Sequence, residues 1–374
     1  MGNYGNTMDR WYRRAAVLLW PRELAFANRA VMDLAWALDD LQERLRAGDD
    51  GLARDDLAGL ESLWPTLVRE SPGTVTMDRV IEIATLVDDE SLARMLIAPF
   101  GITAVTPGVA RGLGRLAEAY DEAWLRDCIS GWFAHSSRPD LGLDAWLATM
   151  PGVVAEFRGR PALAAEVLRQ GWARVQGRVE AHRSAAPSSW ARAQRAALVS
   201  PLSGILKAAA AEGDSVLRSE VAQALTADDT FLPEVISIVL QSRSWPEAVQ
   251  SGLGGELAAY VIEDLQARLA RPEREPDDWS IRPPRGCGCR DCGKLAEFLS
   301  DPARRVHEWP LAESGRQHIH SIIDGADLPV THVTRRTGRP YTLVLTKTNA
   351  LFTLAAARRD EDDAVLRLLL PERG

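Results

Sequence analysis

Residues 271–293 read RPEREPDDWSIRPPRGCGCRDCG, and the grammar of the chain changes within them. The portion 271–286 is rich in proline and charge, which predicts a linker. The portion that follows carries Cys287, Cys289 and Cys292, three of the four cysteines in the chain. Upstream of the stretch, apolar residues recur at helical spacing. Downstream they shorten into small helices and alternating strands. The fold predicted from this break is mainly α: a helical bundle or α-solenoid-like array, then a small zinc-stabilised α/β module. The boundaries are a strand segment over 1–21, an α-helical domain over 22–270, the linker over 271–286 and the module over 287–374.

On the upstream side, Leu24, Ala27, Val31, Leu34, Leu38, Leu41 and Leu45 recur every three or four residues, one face of a long amphipathic helix. Similar patterns occur near 53–69, 77–98, 108–118, 120–133, 161–182, 189–211, 215–226 and 246–270. Clusters such as Ser71-Pro72-Gly73 separate them. No fixed repeat of about 30–45 residues aligns. Nearer the N-terminus, Trp11 to Trp20 ends at Pro21 and reads as a strand stopped by proline, the remnant of an upstream domain.

On the downstream side, Asp291 is placed to cap a short helix carrying Leu295, Phe298 and Leu299. A second short helix is expected near 312–323. Strands fit Thr331–Arg336 and Tyr341–Thr348, with Gly338-Arg339-Pro340 as the turn. A helix near 349–370 follows.

Composition narrows the classes. A chain of 374 residues, 46% apolar, can build roughly two or three domains with real cores. It has no apolar run of about 18 residues and no apolar h-region in MGNYGNTMDRWYRR, so neither a membrane partner nor secretion is expected. A reducing, cytoplasmic location follows, where clustered thiols favour metal over disulfide. Lysine occurs only at Lys207, Lys294 and Lys347; with abundant alanine, that bias is typical of a GC-rich bacterial genome. The net charge is −8, yet residues 281–348 carry 11 Lys/Arg against 7 Asp/Glu. The acidic body argues against broad nucleic-acid binding and leaves only the tail as a local site.

Three thiols are one ligand short of a closed zinc site, which is usually four-coordinate and tetrahedral. His307, His318, His320 and His332 all lie within the next forty residues. In Arg316-Gln317-His318-Ile319-His320 the two histidines point to nearly opposite sides of a helix, so only one can join a given site. His318 shares a stripe with Leu311 and Ile322, as Cys292 does with Leu295 and Leu299. The metal ligands read from this pattern are Cys287, Cys289, Cys292 and His318, with His320 and then His307 as alternatives for the fourth. Such a site has no open position for substrate, so its expected role is structural: it lends folding free energy to a thin core.

Chemistry elsewhere is sparse. None of the six histidines is followed two residues later by a carboxylate, as the usual His-x-Asp/Glu start of an iron triad requires. No Gly-x-Ser-x-Gly elbow or phosphate-binding Gly-x4-Gly-Lys-Ser/Thr occurs. Gly112-Leu113-Gly114-Arg115-Leu116-Ala117 matches a dinucleotide fingerprint only superficially, because it lies in a helical stretch without a βαβ frame. The pairs Asp39-Asp40, Asp88-Asp89 and Asp228-Asp229 read as solvated caps or polar faces. No catalytic residues are assigned.

Two segments carry a family resemblance. Residues 4–21, YGNTMDRWYRRAAVLLWP, resemble a motif of large 2-oxoglutarate/Fe(II)-dependent oxygenase-superfamily proteins of bacteria and fungi. The tail is similar to their C-terminal segment at Cys287, Cys289, Asp291-Cys292, Leu295, Phe298-Leu299, Asp301-Pro302, Arg316, His318, Thr334, Arg336, Gly338, Pro340 to Val344 and Lys347. Together these cover about a quarter of the chain. The resemblance implies that the iron- and 2-oxoglutarate-binding core lies upstream of the point matching residue 1. The chain then looks like the C-terminal part of such a protein, a truncated reading frame or a separate piece. Iron and 2-oxoglutarate are not expected to bind this chain alone. The implied function is a non-catalytic scaffold or interaction region whose partner is a protein, such as an upstream oxygenase domain. Two alternatives stand beside it: Tyr12 and Arg13 completing an active site with a partner subunit, and nucleic-acid binding through Arg335, Arg336, Arg339 and Lys347.

Overall fold

The computed structural model describes residues 21–71, 73–135, 142–185, 188–247, 250, 255–284 and 286–370. The strand expected over residues 11–20, with Tyr12 and Arg13, lies outside the described residues. What is described is mainly helical, with one small antiparallel sheet near the C-terminus. The chain forms two compact units, residues 1–138 and 139–374. Among the described residues no helix is long and apolar enough to cross a membrane.

In the first unit the helix expected over 24–45 is two helices, Arg22–Met32 and Leu34–Arg46. Asp33 leaves the helical conformation at φ −148° and its carboxylate accepts from Trp36 N at 3.1 Å. An aspartate cap competes with the helix interior for the same backbone donors, so the chain breaks while the apolar stripe runs on. The expected 77–98 helix breaks in the same way, into Met77–Val87 and Glu90–Ile97. There Asp88 adopts a left-handed φ of 48° and Asp89 caps Leu92 N at 2.9 Å. The core holds Trp64, Trp132 and Phe133, all fully buried. The two indoles donate to Leu96 O at 2.8 Å and Ile97 O at 3.0 Å, satisfying carbonyls at the end of the Glu90–Ile97 helix. Asp39 and Asp40 pair with Arg79 and Arg44. The superficial dinucleotide fingerprint lies inside the Pro107–Ala119 helix, where its backbone donors serve the helix.

The second unit opens with Leu143–Glu156, Pro161–Ser184, Ser189–Ala196, Val199–Ala211, Ser215–Thr226, Leu232–Ser242 and Glu256–Leu269. Leu143–Glu156 and Leu232–Ser242 are not among the helices expected from the sequence. Leu143–Glu156 is apolar around most of its circumference and has Pro151 inside it; Leu232–Ser242 starts with Pro233 and carries a polar stripe of Glu234, Ser237 and Gln241. The expected 246–270 helix is described only as Glu256–Leu269, and the 189–211 helix divides between Ala196 and Val199.

The tail runs helix Arg290–Ser300, β1 (Val306–Pro310), helix Glu313–Gly325, β2 (Val330–Arg335), β3 (Thr342–Lys347), helix Ala350–Leu369. The sheet order is β1-β3-β2, antiparallel throughout, with Trp309 opposite Leu343 and His332 opposite Leu345. Alternation puts Trp309, Val330, Leu343 and Leu345 on a buried face. Ile281, Leu295, Phe298, Leu299, Ile319, Ile323 and Leu351 complete that core. The opposite face is open and carries Val306, Val333 and an Arg335–Glu308 ion pair.

Two expectations about organisation need correction. Residues 271–284 are not a free linker. Trp279 N and Ile281 N donate to Pro302 O at 2.8 Å and Leu299 O at 2.7 Å, and Ile281 is 6% exposed within the tail core. Nor does a boundary at 270 separate the tail from the helices before it. The Ala350–Leu369 helix packs on Glu256–Leu269, through an Arg268–Asp362 ion pair at 3.3 Å and Arg359 donating to Leu269 O at 2.8 Å and Arg271 O at 2.9 Å. Proline excludes regular structure without excluding burial, and that is why composition alone misreads the segment.

Candidate metal centre

The loop 286–292 is shaped by two glycines. Gly288 has φ +76°, a left-handed conformation that costs an L-residue about 1–2 kcal/mol, and it turns Cys287 and Cys289 onto one side. A Cβ on Gly286 would lie 3.0 Å from both Cβ and Sγ of Cys292. The N-cap of the Arg290–Ser300 helix is Cys289, not Asp291: its Sγ accepts from Cys292 N at 3.4 Å. Asp291 occupies the first turn, where a carboxylate faces the positive end of the helix. Cys292 is buried one turn before Leu295 and two before Leu299, and with Pro283, Pro284, Gly286 and Leu295 it lines a cleft of about 230 Å³.

The fourth residue comes from the Glu313–Gly325 helix. Ile319 and Ile323 are its buried stripe. Each helical step turns about 100°, so positions 318 and 322 fall on one flank of that stripe and 320 and 324 on the other. His318 faces the cysteine loop. Its Nε2 lies 3.5 Å from Cys287 Sγ, 3.5 Å from Cys289 Sγ and 3.3 Å from Cys292 Sγ. Cys287 Sγ and Cys292 Sγ are 3.5 Å apart, far beyond a disulfide bond of about 2.05 Å. All four ligand atoms lie within 4.8 Å of one another, a set that can hold a metal ion.

The thiols start from different protonation. The hydrogen bond from Cys292 N, helped by the Cys287 and Cys292 thiols, pulls Cys289 down to about 6. Burial pushes Cys292 up to about 11. A cation at the centre of the cluster favours the thiolate at each.

Neither alternative histidine joins the cysteines. His307 lies against Phe298 with ring centroids 5.4 Å apart, its Nδ1 accepts from Arg304 at 2.8 Å, and burial lowers its pKa. His320 instead faces His332 of β2, at 4.4 Å between ring centroids, and burial lowers its pKa as well. Cys128 lies buried in the Glu122–His135 helix, its thiol pushed up to about 11 by desolvation.

The four basic residues considered for phosphate contact do not form one surface. Arg336 and Arg339 are exposed, but Arg335 pairs with Glu308. Lys347 is 0% exposed: its Nζ donates to Leu299 O at 3.0 Å and Asp301 O at 2.8 Å and sits 4.8 Å from the Phe298 ring centroid. It closes the C-terminal end of the Arg290–Ser300 helix, a role that strand alternation alone does not reveal. Burial pulls its pKa down to about 8. No family model, curated protein or solved structure matches the chain.

Proposed function

We propose that the chain is a non-catalytic scaffold whose tail is held by one structural zinc on Cys287, Cys289, Cys292 and His318, and that it serves an oxygenase domain or that domain's protein substrate. The convergence of three thiols and one imidazole carries the first part. A tetrahedral zinc with Zn–S of about 2.3 Å and Zn–N of about 2.0 Å spaces S and N by about 3.5 Å and two S by about 3.8 Å. The S···N separations of 3.3–3.5 Å and the Cys287–Cys292 S···S separation of 3.5 Å agree within a few tenths of an ångström. Soft thiolates in a four-donor set favour zinc over magnesium or calcium. Four protein donors leave no position for substrate or activated water, so the ion braces the fold.

The oxygenase connection rests on the resemblance of residues 4–21 and of the tail motif. A direct test incubates the purified, zinc-loaded chain with Fe(II), 2-oxoglutarate and oxygen. No succinate forms above the protein-free control if the chain is a scaffold. Succinate in proportion to the chain overturns that reading.

A further inference from the structure

Beyond the cysteine cluster, two imidazoles meet on the other flank of the same helix. His320 and Asp324 are one turn apart on Glu313–Gly325, and His332 projects from β2 toward them. The rings lie 4.4 Å apart between centroids and are tilted by 44°. His332 Nε2 lies 2.8 Å from Asp324 Oδ1. A carboxylate only accepts, so this nitrogen carries the hydrogen, and in the neutral imidazole Nδ1 then keeps the lone pair. That Nδ1 is buried without a hydrogen-bond partner, and so is His320 Nε2. Buried polar atoms in native proteins are nearly always satisfied by protein, water or an ion. Here two such atoms lie on adjacent rings.

We propose that His320 Nε2 and His332 Nδ1 form a second metal site, separate from the cysteine cluster, with Asp324 orienting His332. A carboxylate that receives the far N–H of a ligating histidine fixes its tautomer and raises its basicity, a recurring arrangement around protein-bound metals. Two neutral imidazoles select a divalent transition ion such as cobalt, nickel, copper or zinc over magnesium or calcium. Two protein ligands leave the remaining positions to water or an exogenous ligand, so this site is open where the cysteine site is closed. The side chain of His332 is 21% accessible and that of Asp324 67%, so the pair lies near the surface although both donor nitrogens are themselves buried.

The test uses the full chain carrying one equivalent of zinc, titrated with Co(II) while bound zinc is followed by elemental analysis. The expected result is one further equivalent of cobalt, with the nitrogen and oxygen ligation spectrum and no displaced zinc. His332→Ala abolishes that equivalent and keeps the zinc. Asp324→Asn, an exposed change that serves if His332→Ala does not fold, weakens cobalt binding about 10–100-fold. Failure of the wild type to take a second equivalent overturns the proposal. So does a second equivalent that neither variant changes, and the zinc bound in either case keeps this outcome distinct from failure of the cysteine site.

Discussion

The helical regions and the tail bury different things. In the helical regions the large fully buried side chains include Trp64, Trp132, Phe133, Phe157 and Phe231, packed with leucine and isoleucine. In the tail they are Phe298 and the charged Lys347, over a core of eleven buried residues that spans three helices, the sheet and Ile281. At its edge, Cys287 and Cys289 are exposed thiols. Apolar burial of about 25 cal/mol per Å² can hold the helices. A core as small as the tail's does so only narrowly, and a bound metal supplies the cross-link that area does not. One chain thus uses two strategies, and removing the metal separates them.

The largest effect follows from chelation or from Cys289→Ser. Structural zinc in small peptides contributes on the order of 10–16 kcal/mol, comparable to the whole stability of a domain, about 5–15 kcal/mol. Hydrogen-exchange protection is expected to collapse across 287–325 while the helices from 143 to 242 keep theirs. Because Trp279 and Ile281 pack into the tail, the loss also reaches back into 279–284. His318→Ala reproduces it, whereas His320→Ala retains the thiolate-bound metal. Uniform loss of protection along the whole chain would remove the contrast between the two regions.

Paired core truncations sharpen the same comparison. Phe298→Ala and Trp64→Ala should each cost about 3–5 kcal/mol. Only Phe298→Ala is expected to weaken metal affinity, since Phe298 belongs to the helix that Cys289 caps and whose first turn holds Cys292. Parallel metal titrations of the two variants read the difference; equal affinities would mean that the site forms independently of the tail core.

How much of this was legible can be traced residue by residue. The GCGCRDCG loop and His318 show in the sequence because thiol spacing and a 100° helical step are local rules. The stripe through Leu311 and Ile322 is shifted by one residue from the buried one at Ile319 and Ile323, and either reading puts His318 on the loop side. Non-local facts were hidden. β1, five residues ending in proline, is a strand only because β3 pairs with it. Lys347 alternates correctly for a buried face, but only the fold reveals the helix end it meets. The His320–His332 pair joins a helix to a strand across a loop. The break at Asp33 was local and visible, but the continuing apolar period masked it.

Lys347 yields a smaller effect. Lys347→Met removes the donor to Leu299 O and Asp301 O; Leu299 O keeps Ile281 N, whereas Asp301 O loses its partner at a cost of about 1–3 kcal/mol. An unfolded lysine titrates near 10.4, the folded one near 8, so between these pH values the unfolded state binds more protons. This group's contribution to stability therefore rises with pH through that window. Denaturant midpoints of wild type and Lys347→Met, compared from pH 8 to 10, should separate further as pH rises; parallel curves would contradict the buried placement.

The central claim is that one metal joins these four residues. Zinc K-edge X-ray absorption on the full chain carrying a single equivalent of zinc tests it most directly. Three sulfurs at about 2.3 Å and one nitrogen at about 2.0–2.1 Å are expected. A shell of nitrogen and oxygen without sulfur, or a chain that retains no zinc when its thiols are reduced, would contradict it.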